Sequence, residues 1–273
     1  MIYNLISYLI YFFVFLFGLE VGSFLNCVIY RLQAGESFLK GRSYCPHCKH
    51  KLSWQDLIPI LSFLILKGKC RYCHQKISWQ YPLVEISTGL IFLLIFNSKF
   101  LISNEFLIFQ FLNFLYYSIV SCLLIIIFVY DLKHYLIPDK IIYPAITLAV
   151  IFNFKFLIFK QFQIFNYSIL SAFGAAGFFL AIFLISRGKW LGFGDVKLGF
   201  FMGIFLGFPN ILIALFFAYL IGAIIGIGLV FAKKKTLKSE VPFGPFLITG
   251  TFIALFFGNQ IINWYLNFLN LTI

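Results

Sequence analysis

Leu123-Leu124-Ile125-Ile126-Ile127-Phe128-Val129-Tyr130-Asp131 is an unbroken apolar run that ends on a carboxylate. Followed by Leu132-Lys133-His134, it reads as a helix leaving hydrocarbon for water, with Asp131 at the boundary. Carboxylates at membrane depth are costly, and where they occur they usually serve a function. A second stretch has the same form: Gly192-Phe193-Gly194-Asp195 stands directly before the apolar run that begins at Val196. In a chain of 273 residues with only nine acidic ones, two aspartates at such boundaries are the main functional clue.

Composition supports the membrane reading. Hydrophobic residues make up 62% of the chain and charged residues 11%, with mean hydropathy +0.98, which a soluble globule cannot carry on its surface. The fold class expected is all-α and polytopic, with about eight transmembrane helices and a small cytoplasmic zinc-binding insert. A formal charge of +12 would suggest nucleic acid in a soluble chain. Here the basic residues gather in a few loops, the pattern that sets membrane orientation, so no nucleic-acid partner is expected. The 39 Phe are read as lipid-facing filler.

Crossing about 30 Å of hydrocarbon takes roughly 20 residues of helix. Apolar windows begin near Ile2, Tyr81, Phe106, Ile141, Tyr167, Val196, Ile211 and Phe246. The first precedes any Lys or Arg, the earliest being Arg31, so it lacks the basic start of a secretory signal and is expected to stay as a span. The sixth is short, stopping before Pro209-Asn210, and could be re-entrant. With eight crossings and the N-terminus outside, 18 of the 21 Lys and Arg fall in loops 31–80, 131–140, 187–197 and 232–245 on the cytoplasmic side. Lys99, Lys155 and Lys160 fall opposite. A re-entrant sixth window would move Lys233, Lys234, Lys235 and Lys238 outside, against the rule, so both aspartates are expected on the cytoplasmic side. Gly199, Gly203 and Gly207, and later Gly222 and Gly226, recur every four residues and predict close helix packing.

The large polar loop carries Cys45-Pro46-His47-Cys48 and Cys70-Arg71-Tyr72-Cys73, 21 residues apart. Each Cys-x-x-Cys turn presents two thiolates, and two such turns close a tetrahedral structural zinc site on Cys45, Cys48, Cys70 and Cys73. Disulfides, a dithiol redox centre, or His47, His50 or His74 in place of a cysteine are the other arrangements the spacing admits. A reducing cytoplasmic loop disfavours disulfides, and an insert of roughly 40 residues needs a metal because it cannot build its own core. Cys27 and Cys122, inside apolar runs, are read as small buried hydrophobes.

Two close carboxylates share one proton. The ionised one can draw a proton from water while its protonated partner donates to a scissile carbonyl oxygen, as in aspartic proteases, without a covalent intermediate. Gly192 and Gly194 would admit a close backbone approach or a tight turn. The bland alternatives are a helix-capping role for Asp195 and for Asp139, which follows Ile137-Pro138, and snorkelling of Glu20 and Glu85 at helix ends. A non-enzymatic scaffold or transporter, with the aspartates relaying protons or capping helices, is the competing class of function.

Six ordered motifs carry a family resemblance. They are Gly22-Ser23-Phe24-Leu25-Asn26 with Val28-Ile29-Tyr30-Arg31-Leu32; the two cysteine pairs; Ile77-Ser78-Trp79-Gln80-Tyr81-Pro82-Leu83-Val84-Glu85; Asp131-Leu132 leading to Ile137-Pro138-Asp139; Gly192 through Leu198; and Pro242-Phe243-Gly244-Pro245. Across nearly its whole length the chain resembles the bacterial prepilin peptidases, also called type 4 prepilin-like protein leader peptidases. The resemblance implies an intramembrane aspartyl protease of the GxGD type in the bacterial inner membrane, with Asp131 and Asp195 as the catalytic pair. Gly192, Gly194, Asp139 and Lys197 would support the pair, and Pro242, Gly244 and Pro245 would shape the substrate.

The implied substrates are prepilin or pseudopilin leaders of type IV pilus or type II secretion systems, cut on the cytoplasmic side. Many relatives also methylate the new N-terminus with S-adenosylmethionine, so that cofactor is implied beside structural zinc. Relatives often read Trp-x-x-Asn-Ile-Pro where this chain has Trp54-Gln55-Asp56-Leu57-Ile58-Pro59, so no methyl-donor ligand is carried over. The domains expected are a first transmembrane helix over 1–30, a zinc-binding loop over 31–80 and a transmembrane protease domain over 81–273.

Overall fold

The computed structural model describes residues 2–37, 41–101, 107–158, 161–232 and 241–269. Lys40, Lys160, Lys233, Lys234, Lys235 and Lys238, used in the charge argument, lie outside them, as do the side chains of Lys99 and Lys155. Each of the eight apolar windows forms a helix: α1 (Ile2–Ala34), α3 (Gln80–Ile95), α4 (Leu107–His134), α5 (Asp139–Ile158), α6 (Phe162–Ser186), α7 (Phe193–Leu206), α8 (Asn210–Phe231) and α9 (Gly244–Phe268). The short α2 (Leu61–Ile65) lies in the polar loop. Among the described residues six helices are long and apolar enough to cross a membrane; the remaining two of the eight are α5 and α7. At 14 residues α7 spans about 21 Å at 1.5 Å per residue, short of the hydrocarbon thickness. Eight is therefore an approximate count of crossings.

Two compact units divide the chain, Met1–Ile126 and Ile127–Ile273. In the first, α1 packs on α3 through glycines. A Cβ on Gly18 would come 2.7 Å from Gly89 Cα, and one on Gly22 would come 2.7 Å from Glu85 Cα. The buried Asn26 joins the same two helices, donating to the Tyr81 carbonyl at 3.1 Å and accepting from Gln80 Nε2 at 3.2 Å. Arg31 closes α1 by donating to the carbonyls of Ser37, Gly41 and Arg42.

In the second unit α7 is the hub, packing on α5, α6, α8 and α9. Gly199 and Gly203 make the expected face: a Cβ on Gly203 would run into the backbone of Ser171 and Ala172 on α6, and one on Gly199 into Phe179. Gly207 ends the helix at φ +67. Gly203→Leu should destabilise the unit by about 1–3 kcal/mol through overpacking, read as a lower melting temperature in detergent. The second predicted pair is split. A Cβ on Gly222 would come 3.2 Å from Phe246 Cδ2 on α9, but one on Gly226 would meet nothing within 4 Å, and α8 also meets α9 where Gly250 lies against the Ala214 carbonyl.

Many Phe are exposed on the helices, as expected of lipid-facing residues, but Phe179 and Phe201 are fully buried core residues. Cys27 and Cys122 are only half-buried.

Candidate active site

Asp131 lies in the last turn of α4, which ends as the Tyr135 N–H bonds to the Asp131 carbonyl at 2.9 Å. The chain turns through Ile137-Pro138 and enters α5 at Asp139. Asp195 lies in the first turn of α7, where Gly192 is the N-cap. The carboxylate reaches back, and the Gly192 N–H donates to Asp195 Oδ2 at 3.1 Å. The capping role weighed for Asp195 is thus real, and it occupies one oxygen while fixing the side chain.

The two aspartates are brought together. Both are buried, at 4% and 8% exposure, and Asp195 feels the charge of Asp131. The backbone of Gly244, first residue of α9, hydrogen-bonds to the Asp131 carboxylate. Each aspartate is therefore held by a glycine N–H at the start of a helix, where unpaired donors and the positive end of the helix dipole favour an acceptor. Pro245 at the opening of α9 gives up an N–H that has no helical partner anyway. Pro242 is half-buried just before it.

Ile137 is a buried wedge under both glycine segments. A Cβ on Gly194 would come 2.9 Å from Ile137 Cβ, and one on Gly244 would lie 3.5 Å from Ile137 Cδ1 and 2.6 Å from Asp131 Oδ2. Gly192 is different: its Cβ would find only ordinary contact at 3.7 Å. Neither Gly192 nor Gly194 has positive φ, so close approach at Gly194, rather than a tight turn, is the steric requirement.

Asp139 stands apart from the pair. Its Oδ1 accepts from Lys197 Nζ at 2.6 Å, and that ammonium lies 4.9 Å from the Tyr143 ring and 5.3 Å from the Phe193 ring. Lys197 and Asp139 thereby tie α7 to α5. Two site neighbours escaped sequence reasoning. Tyr219 on α8 feels the Asp195 charge and meets Phe243 with ring centroids 5.1 Å apart, tilted by 44°, and only the proximity of Phe243 to Gly244 in the chain hinted at that cluster.

In the first unit the four predicted cysteines converge. Their sulfurs all lie within 4.8 Å of one another, and Cys45 Sγ is 3.9 Å from Cys73 Sγ. A tetrahedral ion with bonds of about 2.3 Å places its sulfurs about 3.8 Å apart, so the cluster can hold a metal of that kind. The separation far exceeds a disulfide bond of about 2.05 Å. The two turns are built alike. Cys45 N–H bonds to the His50 carbonyl and Cys70 N–H to that of Gln75, while Lys49 and His74 both adopt left-handed backbone, φ 56 and 57. Burial disfavours the Cys45 thiolate, but the N–H groups of Cys48 and His47 outweigh it and bring the thiol down to about 7. His50 stacks on Tyr72 at 3.7 Å, outside the sulfur cluster.

Asp56, within the Trp54–Pro59 stretch, braces the second turn. It accepts from Ser53 N and Oγ, from Arg71 Nε at 2.7 Å and from Tyr72 Oη. Burial pushes its carboxyl up, but Ser53 and Arg71 prevail and hold it below the ordinary carboxylate range. A depressed pKa contributes stability above the unfolded value of about 4, lost as pH falls through the folded one. Asp56→Asn should therefore speed proteolysis within 31–80 at pH 7, with the difference from wild type fading as pH falls through the folded value.

A family model described as Bacterial Peptidase A24 N-terminal domain matches residues 16–99, and one described as Type IV leader peptidase family matches residues 118–227. A Bacillus subtilis (strain 168) protein named prepilin leader peptidase/N-methyltransferase is 35% identical across 92% of this chain and 96% of its own length. Proteins of the same name from Legionella pneumophila and Aeromonas hydrophila are 32% and 30% identical, across 93% and 94% of both chains. The chain belongs to the type IV leader peptidase family. The leader peptidase match contains Asp131, Asp139 and Asp195 and stops short of Gly244, while the N-terminal match contains all four clustered cysteines and Glu85. No solved structure matches the chain.

Proposed function

We propose that this protein cleaves the leader peptides of prepilin and pseudopilin substrates and methylates the new N-terminus, with Asp131 and Asp195 as the proteolytic pair. The observation that carries the proteolytic assignment is the pair itself: two buried carboxylates within range of each other's charge, each anchored by a glycine N–H at a helix start. Like charges in a dry site resist joint ionisation, so the pair holds one proton. The ionised carboxylate takes a proton from water, whose oxygen adds to the scissile carbonyl as the protonated carboxyl donates to the carbonyl oxygen; the diol then collapses, the C–N bond breaks, the first carboxyl gives its proton to the leaving amine and the second recovers one from the diol. The two aspartates titrate jointly, so neither alone owns the proton.

The protein is an aspartyl protease of the bacterial inner membrane with its N-terminus periplasmic and both aspartates, like the cysteine-bearing loop, cytoplasmic; the distribution of Lys and Arg supports this orientation. Its organisation is a first helix over 1–30, a zinc-stabilised loop domain over 31–80 and a protease domain over 81–273 surrounded by lipid. The metal is zinc, held structurally by Cys45, Cys48, Cys70 and Cys73. S-adenosylmethionine supplies the methyl group when bound, and its substrates come from pilus or type II secretion machinery.

Membranes containing the protein, mixed with a prepilin, should yield a product shortened by the leader. A substrate left at full length by correctly inserted protein contradicts the reading. Gly244→Ala should lower cleavage by about 10-fold or more, because its methyl group would displace the Asp131 carboxyl, and misplacement near 1 Å can cost about 100-fold. Gly192→Ala should be far milder, since space exists for its methyl group.

A further inference from the structure

Three carboxylates are buried among the described residues: Asp131, Asp195 and Glu85 on α3. The first two belong to the proteolytic pair. Glu85 was expected to snorkel to the membrane surface, yet it is 6% exposed because Gly22 lets α1 press against its backbone.

Its surroundings hold hydrogen-bond donors but no counter-ion. Glu85 Oε2 accepts from Ile60 N–H at 2.8 Å, and the Ser23 hydroxyl bonds to the same carboxylate. The neighbouring charge is another carboxylate, Glu20, and among the described residues no Lys, Arg or His pairs with Glu85. A buried charge without a partner costs several kcal/mol, and ionisable groups within membrane helices are functional by default. One turn further along the same α1–α3 seam, Gln80 Oε1 is buried and accepts no hydrogen bond. The seam thus offers a carboxylate and an orphaned carbonyl oxygen, both acceptors, with no resident cation. An ammonium, which has donors and a positive charge but no acceptor, is the complementary group.

The backbone that delivers the Ile60 N–H is unusual. Ile60 is β-branched and sits at φ 60, ψ −50, a conformation held only where surrounding structure enforces it. Its carbonyl then starts α2. The contact aims a fixed donor at Glu85 and keeps that carboxylate in place without neutralising it.

We propose that Glu85 receives the new N-terminal ammonium of the cleaved substrate and acts as the base for its methylation. This rests on the methyl-transfer half of the reading above. The ammonium gives one proton to the Glu85 carboxylate. The freed nitrogen lone pair attacks the methyl carbon of a sulfonium donor, the N–C bond forms as the C–S bond breaks, and the bonding pair stays on sulfur as a neutral thioether. Glu85 then passes its proton to water, and the product leaves as a methylammonium.

The test uses full-length protein in detergent with a prepilin and S-adenosylmethionine, reading product mass. Glu85→Gln keeps the shape and an acceptor for Ile60 N–H but loses the charge. Glu85→Asp keeps the charge and shortens the reach to Ile60. If Glu85 is the base, Glu85→Gln yields leader-free product with methylation down about 100-fold or more, while Glu85→Asp retains partial methylation. If Glu85 only clamps Ile60, the order reverses, and the proposal is overturned.

A peptide bearing the mature substrate N-terminus supplies a second readout, independent of turnover. Wild type should bind the free-amine form at least 10-fold more tightly than the acetylated form, and Glu85→Gln should bind the two alike. Equal binding of both forms by wild type overturns the proposal even if neither variant folds. A wild type that cleaves and never methylates overturns the methyl-transfer reading together with the proposal. Methylation by wild type and Glu85→Gln alike overturns the proposal alone.

Discussion

Asp131→Asn and Asp195→Asn should each lower leader cleavage by about 1,000-fold or more while leaving the protein inserted. An amide cannot share the proton, so each change leaves a single carboxyl group that cannot serve as base and acid together. The two sites report different things structurally. At Asp195 an amide oxygen can still accept from Gly192 N–H, so the first turn of α7 should survive and the loss be purely chemical. At Asp131 the Gly244 N–H likewise keeps an acceptor. Because the residues act as a unit, the double variant should be scarcely worse than either single one. Melting temperatures near wild type beside lost cleavage would separate this outcome from misfolding.

Cys45→Ser combined with Cys48→Ser should abolish metal binding and open the insert between α1 and α3 to proteases. The reason is size. Apart from the two cysteine turns, a short 3₁₀ turn at Trp54–Leu57 and the five-residue α2, this segment has little regular structure, and Trp54, Leu61, Leu64 and Ile65 are exposed. Structural zinc contributes about 10–16 kcal/mol in small peptides, far more than the Asp56–Arg71 pair can replace. Purified wild type should carry close to one zinc per chain, lost on chelation. A metal-free preparation with four free thiols and an intact, protected insert would contradict the assignment.

Much of this architecture was legible because hydropathy is a strong signal: each apolar window became a helix, and both aspartates showed at the window edges. The cysteine turns were legible from spacing alone, since Cys-x-x-Cys folds locally. What escaped detection depends on contacts distant in the chain. Glu85 reads as a surface acid until Gly22, 63 positions earlier, brings α1 over it. Gly222 and Gly226 have the right spacing for a packing face, but α9 reaches only the first, through Phe246, and leaves Gly226 open. Gly192 and Gly194 look equivalent in the tetrad, and only the position of Ile137 shows that one is sterically required and the other is not. Asp139 looked like a cap because it opens α5, yet its partner is Lys197 on α7, chosen by the packing of those helices.

The most direct test is the intact mass of a prepilin after incubation with the detergent-purified protein and S-adenosylmethionine, beside an Asp195→Asn control of equal melting temperature. Loss of the leader and gain of one methyl group with wild type, both absent from the control, is the predicted result. An unchanged mass with folded wild type, or leader loss undiminished in the control, would contradict the assignment of the aspartate pair.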